Sequence, residues 1–281
     1  MTALLVMLSV SVATAETAKN LLFYGNSFTI ATGFGSSRSV PDVVKAIANA
    51  AGRPAPNVVN PSVAGWTLQQ HLTSNTGTIN SGIAAGQNWD AVILQDYSTQ
   101  PTHIGSVAEH RSSYLAMYQL VKARSPSAVA IGYETWARGP GHEYYSGNPP
   151  TFANPAAMQS ELRAGYALST ADVNALYGPG TSTVAPAGDA WERANFPLNF
   201  YASDIYHASN RGTLLNAMVL YGTIYNDPTI RDINMPSLLL TLGISTTDAQ
   251  TLAGFAESVL PEPASLAVLS FVGISLCTRR R

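Results

Sequence analysis

Only one cysteine, Cys277, occurs in the 281 residues, and it lies four positions from the end. A disulfide framework is therefore excluded, and stability has to come from a hydrophobic core. Charge is also scarce, at 11% Asp, Glu, Lys and Arg against roughly 25% in an average soluble protein, with a formal net charge of −2. Outside Arg279-Arg280-Arg281 there is no cluster of Lys or Arg, so the electrostatic footprint of a nucleic-acid binder is missing. Histidines are few: His71, His103, His110 and His142 have no partner at metal-ligand spacing, and neither a metal nor a cofactor is expected. Internal repeats and low-complexity linkers are lacking too. What is abundant is apolar residues, 46% of the chain, enough for one sizeable domain.

The two ends differ from the middle. Ala3 to Val12 is apolar and is followed by Ala13-Thr14-Ala15, a small-x-small site of the kind signal peptidases accept, although no Lys or Arg precedes it. Residues 1–15 are expected to be an export signal; the alternative is a first buried element of the domain. At the other end Pro261-Glu262-Pro263 precedes an apolar run from Ala264 to Cys277 and then the three arginines. That run is short of the roughly 20 residues of a stable membrane span, and the arginines would hold its end at the cytoplasmic side. The segment 261–281 resembles the PEP-CTERM sorting signal of exported proteins in some Gram-negative bacteria. The resemblance implies transient membrane association and processing by an exosortase, with a cell-surface or extracellular destination. The alternative is a C-terminal core helix.

Between the ends, residues 16–260 alternate apolar runs with longer segments of helical spacing, the pattern of a parallel sheet covered on both faces. Strands are predicted at Leu21 to Tyr24, Val58 to Pro61, Ala91 to Gln95, Ala128 to Tyr133 and Ser182 to Ala185. Helices are predicted at Val40 to Ala51, Thr67 to Ser74, Val107 to Ala123 and Ala156 to Leu176, with a last one at Asn210 to Tyr225. The expected fold is α/β, a flavodoxin-like three-layer α/β/α sandwich with a five-stranded parallel sheet. Arg138 to Asn154, rich in Gly, Pro and aromatics, reads as a long loop after the fourth strand, at the rim of a site; the alternative is a disordered segment.

The first strand runs directly into Gly25-Asn26-Ser27-Phe28-Thr29, and Asp204-Ile205-Tyr206-His207 follows far downstream. A strand ending in a Gly-containing turn leaves a hydroxyl exposed at the carboxyl edge of the sheet, where open α/β folds bind ligands. Ser27 is too weak an acid to attack alone, so His207 would take its proton, with Asp204 holding the imidazole tautomer. By itself Asp-x-x-His also reads as a helix N-cap. Asn26 would hold the turn through side-chain to backbone hydrogen bonds.

These blocks, with Pro61-Ser62-Val63-Ala64-Gly65 and Trp89-Asp90-Ala91-Val92-Ile93-Leu94-Gln95-Asp96, resemble the SGNH (GDSL-like) hydrolase superfamily over residues 20 to 225. Asn26 stands where most members carry Asp, and Leu94-Gln95-Asp96-Tyr97-Ser98 replaces the family's Gly-x-Asn-Asp block. The resemblance implies a serine esterase working through an acyl-enzyme, on a carboxylic ester such as an acetyl ester on carbohydrate. It implies an oxyanion hole built from the backbone N–H groups of Ser27 and Gly65 and the side chain of Gln95. For Gln95 the other reading is a buried amide that satisfies loop carbonyls. Asn26, Trp66, Tyr97, Trp136 and Tyr206 are candidates to line the pocket, the aromatics being equally suited to packing. Two other functions stay open: an acyltransferase of the same fold, and a surface or matrix binding protein with a decayed site.

Overall fold

The computed structural model describes residues 16–261. The export segment at 1–15 and the sorting segment after Pro261 lie outside the described residues. Five strands, β1 (Asn20–Tyr24), β2 (Asn57–Val59), β3 (Ala91–Leu94), β4 (Val129–Tyr133) and β5 (Ser182–Ala185), form one sheet. The helices, in chain order, are α1 (Ser27–Ile30), α2 (Val40–Ala50), α3 (Leu68–Ser74), α4 (Gly77–Ser81) and α5 (Val107–Arg124). They continue with α6 (Pro155–Tyr177), α7 (Ala187–Arg193), α8 (Asn210–Tyr225), α9 (Pro236–Leu242) and α10 (Thr246–Glu257).

Every pairing in the sheet is parallel, in the order β2-β1-β3-β4-β5. The strands read as continuous apolar runs because both faces are covered. In β1, Leu21 and Phe23 point into one core with Val43 and Ile47 of α2 and Leu214 and Met218 of α8. Leu22 and Tyr24 point into the other, with Leu68 of α3 and Met117 and Val121 of α5. The period of two thus divides one run between two layers. The three-layer sandwich is the expected one, and the five strands lie where their apolar runs put them.

The strand order reverses beside β1, so a crevice opens between the carboxyl ends of β1 and β3. Tyr24 pairs with Leu94, which sets the turn after β1 directly beside Gln95.

Asn210–Tyr225 is not the last helix. Leu238, Leu239 and Leu242 of α9 and Leu252, Ala253 and Ala256 of α10 pack into the α2–α8 core. Ser245 caps α10 by accepting from the Asp248 N–H. Neither helix is expected from the sequence: α9 starts at Pro236 and has only Leu238, Leu239 and Leu242 to bury, and α10 buries three alanines and one leucine, a faint apolar stripe.

A polar cluster pins the end of α8 to the end of α2. Asp227 accepts from Arg53 Nη2 and from the Tyr221 hydroxyl, each at 2.8 Å, and from Thr229 Oγ1 at 2.6 Å. Partial burial pushes its carboxyl up, but the hydrogen bonds from Thr229, Arg53 and Tyr221 outweigh that and bring it to about 2. A depressed folded value stabilises the native state above the unfolded value near 3.9, and the gain is lost as pH falls toward 2. Asp227→Asn is therefore expected to cost about 1–2 kcal/mol at pH 7, allowing for partial solvent screening. In urea titrations at a series of pH values, the gap to wild type should close between about pH 4 and pH 2; a constant gap would contradict the assignment.

Candidate active site

Gly25 ends β1 in a space that admits no side chain: a Cβ there would lie 2.2 Å from Thr29 Oγ1 and 2.6 Å from Gln95 Oε1. Asn26 then caps α1, its Oδ1 accepting from the Phe28 N–H at 3.1 Å, and Ser27 becomes the first helical residue. From the other side of the crevice, Ala202 N–H donates to His207 C=O at 2.8 Å and Ser209 N–H to Phe200 C=O at 2.8 Å, closing the loop that carries Asp204 and His207.

The two segments meet. Ser27 Oγ lies 3.0 Å from His207 Nε2, and His207 Nδ1 lies 2.7 Å from Asp204 Oδ2. Since a carboxylate only accepts, Nδ1 carries the proton and Nε2 presents a lone pair to the Ser27 hydroxyl. The other oxygen of Asp204 accepts the N–H groups of Tyr206 and His207, both at 2.9 Å. Partial burial raises the Asp204 carboxyl, yet the bonds from the imidazole and the two backbone N–H groups prevail and hold it below its ordinary value. The imidazole ring sits against Phe34 at 5.1 Å and Tyr206 at 4.2 Å between centroids. Asp204-x-x-His207 thus forms a turn ahead of α8, not the first turn of that helix.

Gly65 is exposed with φ of +77°, a left-handed conformation that glycine adopts without strain. Its loop is tied to the serine turn by Asn26 Nδ2, which donates to Trp66 C=O at 3.0 Å. Among the described residues, neither the Ser27 nor the Gly65 N–H has a hydrogen-bond partner.

Gln95 does not join them. Its side chain is buried beneath the serine turn, where Oε1 accepts from the Asn26 N–H and from Thr29 Oγ1, both at 2.9 Å. Its Nε2 donates to Asn26 Oδ1 at 3.1 Å and to Asp96 C=O. The expectation of an oxyanion donor is corrected to the buried-amide reading. Pairing of Tyr24 with Leu94 puts Gln95 level with Gly25, and the extra methylene carries its amide under residue 26. Gln95→Leu should strand the Asn26 N–H and the Thr29 hydroxyl and destabilise the fold by about 2–4 kcal/mol, measured by urea unfolding. A loss of about 10² to 10³ in turnover with unchanged stability would instead restore the oxyanion role.

Beneath the turn lie polar residues that spacing alone does not reveal. His71 is buried, with Nε2 2.8 Å from Gly25 C=O and Nδ1 3.3 Å from Asn75 Nδ2. Burial lowers its pKa, more than the bond to Gly25 raises it, and the Gly25 carbonyl, which can only accept, takes the Nε2 proton. Asp96 Oδ1 accepts the N–H groups of Leu68 at 2.8 Å and Tyr97 at 2.7 Å, while Oδ2 faces His110 Nδ1 at 2.9 Å. This pair brings the starts of α3 and α5 to the end of β3. The one available signal was Asp96 following a buried strand.

Of the pocket candidates, Trp66, Tyr97 and Tyr206 are half-buried at the crevice, Tyr206 against His207. Asn26 and Trp136 are buried and line nothing. Asn26 is consumed by the turn, and Trp136 stacks between Phe28 at 4.2 Å and Trp191 at 4.6 Å as packing. The segment after β4 folds through a 3₁₀ turn at Glu143–Tyr145 and packs back on Arg138, with Tyr145 OH donating to Arg138 C=O at 2.8 Å.

No family model matches the chain, and no curated protein matches it in sequence. Solved structures do. A protein provisionally described as an SGNH hydrolase, from Slackia heliotrinireducens, is 24% identical, with a TM-score of 0.56 over 74% of this chain and 99% of its own. A DUF4886 family protein from Bacteroides uniformis is 15% identical, with a TM-score of 0.57 over 86% of this chain and 94% of its own. The family 3 carbohydrate esterase of Clostridium thermocellum is also 15% identical, with a TM-score of 0.52 over 73% and 94%. This chain shares the fold of these three structures.

Proposed function

We propose that this chain is an exported serine esterase, with Ser27 as nucleophile, His207 as general base and then acid, and Asp204 as the group that orients the imidazole. The observation that carries the reading is the continuous hydrogen-bonded chain from Ser27 Oγ through His207 to Asp204, at 3.0 and 2.7 Å. It sits at the carboxyl edge of the sheet, where the strand order reverses. As Ser27 Oγ bonds to the ester carbonyl carbon, its proton passes to His207 Nε2. The N–H groups of Ser27 and Gly65 meet the oxyanion. The imidazolium then gives its proton to the departing alkoxide, leaving an acyl-Ser27 that water hydrolyses by the same route in reverse.

The substrate we favour is an acetyl ester on carbohydrate, in keeping with the carbohydrate esterase among the structures of this fold and with an open crevice edged by Trp66, Tyr97 and Tyr206. Export would proceed through cleavage by signal peptidase after Ala15 and exosortase-type processing at the tail. The reading is tested with a fluorophosphonate probe and peptide mass spectrometry. Ser27 should be labelled within minutes at neutral pH and p-nitrophenyl acetate should be hydrolysed. A chain that neither labels nor turns over the ester would overturn it.

A further inference from the structure

Arg138 follows β4 and is buried, 3% exposed, immediately beneath the loop that carries His207. Its Nη2 donates to Ser98 Oγ at 2.9 Å. Among the described residues no carboxylate pairs with it, and Nη1 is buried without a partner. Burial lowers its pKa, against the opposing influence of the surrounding tyrosines. A buried cation without an anion is costly, and an apolar side chain of similar length would fill the space without that cost. The guanidinium has one close partner that uses its charge: its Cζ lies 3.7 Å from the centroid of the Tyr206 ring, with Phe28 and Tyr144 each at 5.8 Å. A desolvated guanidinium over an aromatic face is an attractive contact.

The neighbours of Arg138 hold the same loop. Trp136 Nε1 donates to Tyr206 C=O at 3.1 Å, Gly139 N–H donates to Ile205 C=O at 2.8 Å, and Ala137 C=O accepts from the Tyr201 hydroxyl at 3.0 Å. Four consecutive residues after β4 therefore grip the segment from Tyr201 to Tyr206. The grip has something to restrain, because Ile205 has φ of +53°, a conformation foreign to a β-branched residue that persists only where its surroundings over-determine it. Ile205 lies between Asp204 and His207, so its relaxation would separate the carboxylate from the imidazole. Tyr206 transmits the restraint directly: its N–H binds Asp204 and its ring packs on the His207 ring.

We propose that Arg138 is a positioning residue for the esterase reaction, its guanidinium clamping Tyr206 so that the strained Asp204–His207 turn keeps the imidazole aimed at Ser27. This rests on the esterase reading, and the test separates the two. In the full-length protein, Arg138→Met should lower kcat for p-nitrophenyl acetate about 10- to 100-fold with KM within about twofold, and Arg138→Lys should recover part of the loss. In a Tyr206→Leu background the same Arg138→Met change should cost less than about twofold, since residues acting through one contact are not additive. Should Arg138→Met fail to fold, the cycle is run with Arg138→Lys against Tyr206→Leu. A second readout needs no activity: the downfield proton resonance of His207 Nδ1–H bound to Asp204 should be present in wild type and broadened or lost in the Arg138 variants. An unchanged resonance, or additive losses in the cycle, overturns the proposal. A wild type that shows the resonance but no labelling of Ser27 defeats the esterase reading alone.

Discussion

Alanine at position 27 is expected to lower turnover of p-nitrophenyl acetate by about 10⁴- to 10⁶-fold, with little change in KM. The substitution removes one oxygen, the atom that His207 Nε2 faces across 3.0 Å. The N–H groups that would receive the oxyanion belong to the backbone and stay, so substrate binding and a residual attack by water persist. Among the described residues Ser27 Oγ bonds to no group but His207, and the cap that holds α1 comes from Asn26. The fold should therefore be unaffected, which separates a chemical loss from a structural one. Labelling by the fluorophosphonate should vanish with the turnover. A Ser27→Ala variant that hydrolyses the ester at the wild-type rate would falsify the nucleophile assignment.

Changes at His207 and Asp204 should be nearly as severe but differ in kind. On the esterase reading His207→Ala removes the base and is expected to cost about 10⁴- to 10⁶-fold, in the range expected for Ser27→Ala, because the two would act as a unit. Asp204→Asn is expected to cost about 10⁴-fold through the tautomer. The amide oxygen would keep accepting the N–H groups of Tyr206 and His207, which turns the NH₂ group toward His207 Nδ1. Nδ1 then becomes an acceptor, the ring proton moves to Nε2, and Nε2 can no longer take the proton of Ser27. The wild-type carboxyl is held below its ordinary value by the imidazole and the two backbone N–H groups, so an acid loss of activity at or above the ordinary carboxylate range should not trace to this residue. Steady-state rates of the three variants, with unfolding midpoints as controls, check the set; an Asp204→Asn enzyme as fast as wild type would remove the carboxylate from the mechanism.

Much of the fold was legible in the chain because burial on both faces leaves a mark that survives in one dimension. Leu21 to Tyr24 and Ala91 to Leu94 are unbroken apolar runs since neither side of the sheet meets water. Helices such as Val40–Ala50 carry enough turns to show their period, with Val40, Val43, Val44, Ile47 and Ala48 on the buried face. Weakly marked elements do not: α1 has only four residues, and α10 buries Ala249, Ala253 and Ala256 with a single leucine, Leu252, so its apolar stripe is faint in the sequence. Ser27 was legible for a local reason as well: a Gly-containing turn directly after the first strand leaves few places for its hydroxyl to go. Asp204 and His207 were legible through their spacing, because residues three apart in a tight turn can bond to each other whatever surrounds them.

Gln95 and Trp136 mark the boundary of that legibility. An amide at the end of β3 can face the crevice or the core, and nothing in Leu94-Gln95-Asp96 distinguishes the two. The choice is made by Asn26 and Thr29, 69 and 66 residues away, whose donors meet Gln95 Oε1 only after β1 and β3 have paired. Trp136 is taken up by Phe28 and Trp191, and His71 by Gly25, in the same way. The layers of the sandwich, the serine at the sheet edge and the Asp-x-x-His turn can be read from the chain alone, because periodicity, turn chemistry and short spacing are local properties. Which polar and aromatic groups face the crevice, and which brace it from below, is settled in three dimensions. The direction of a side chain is set by partners that folding delivers from far along the sequence.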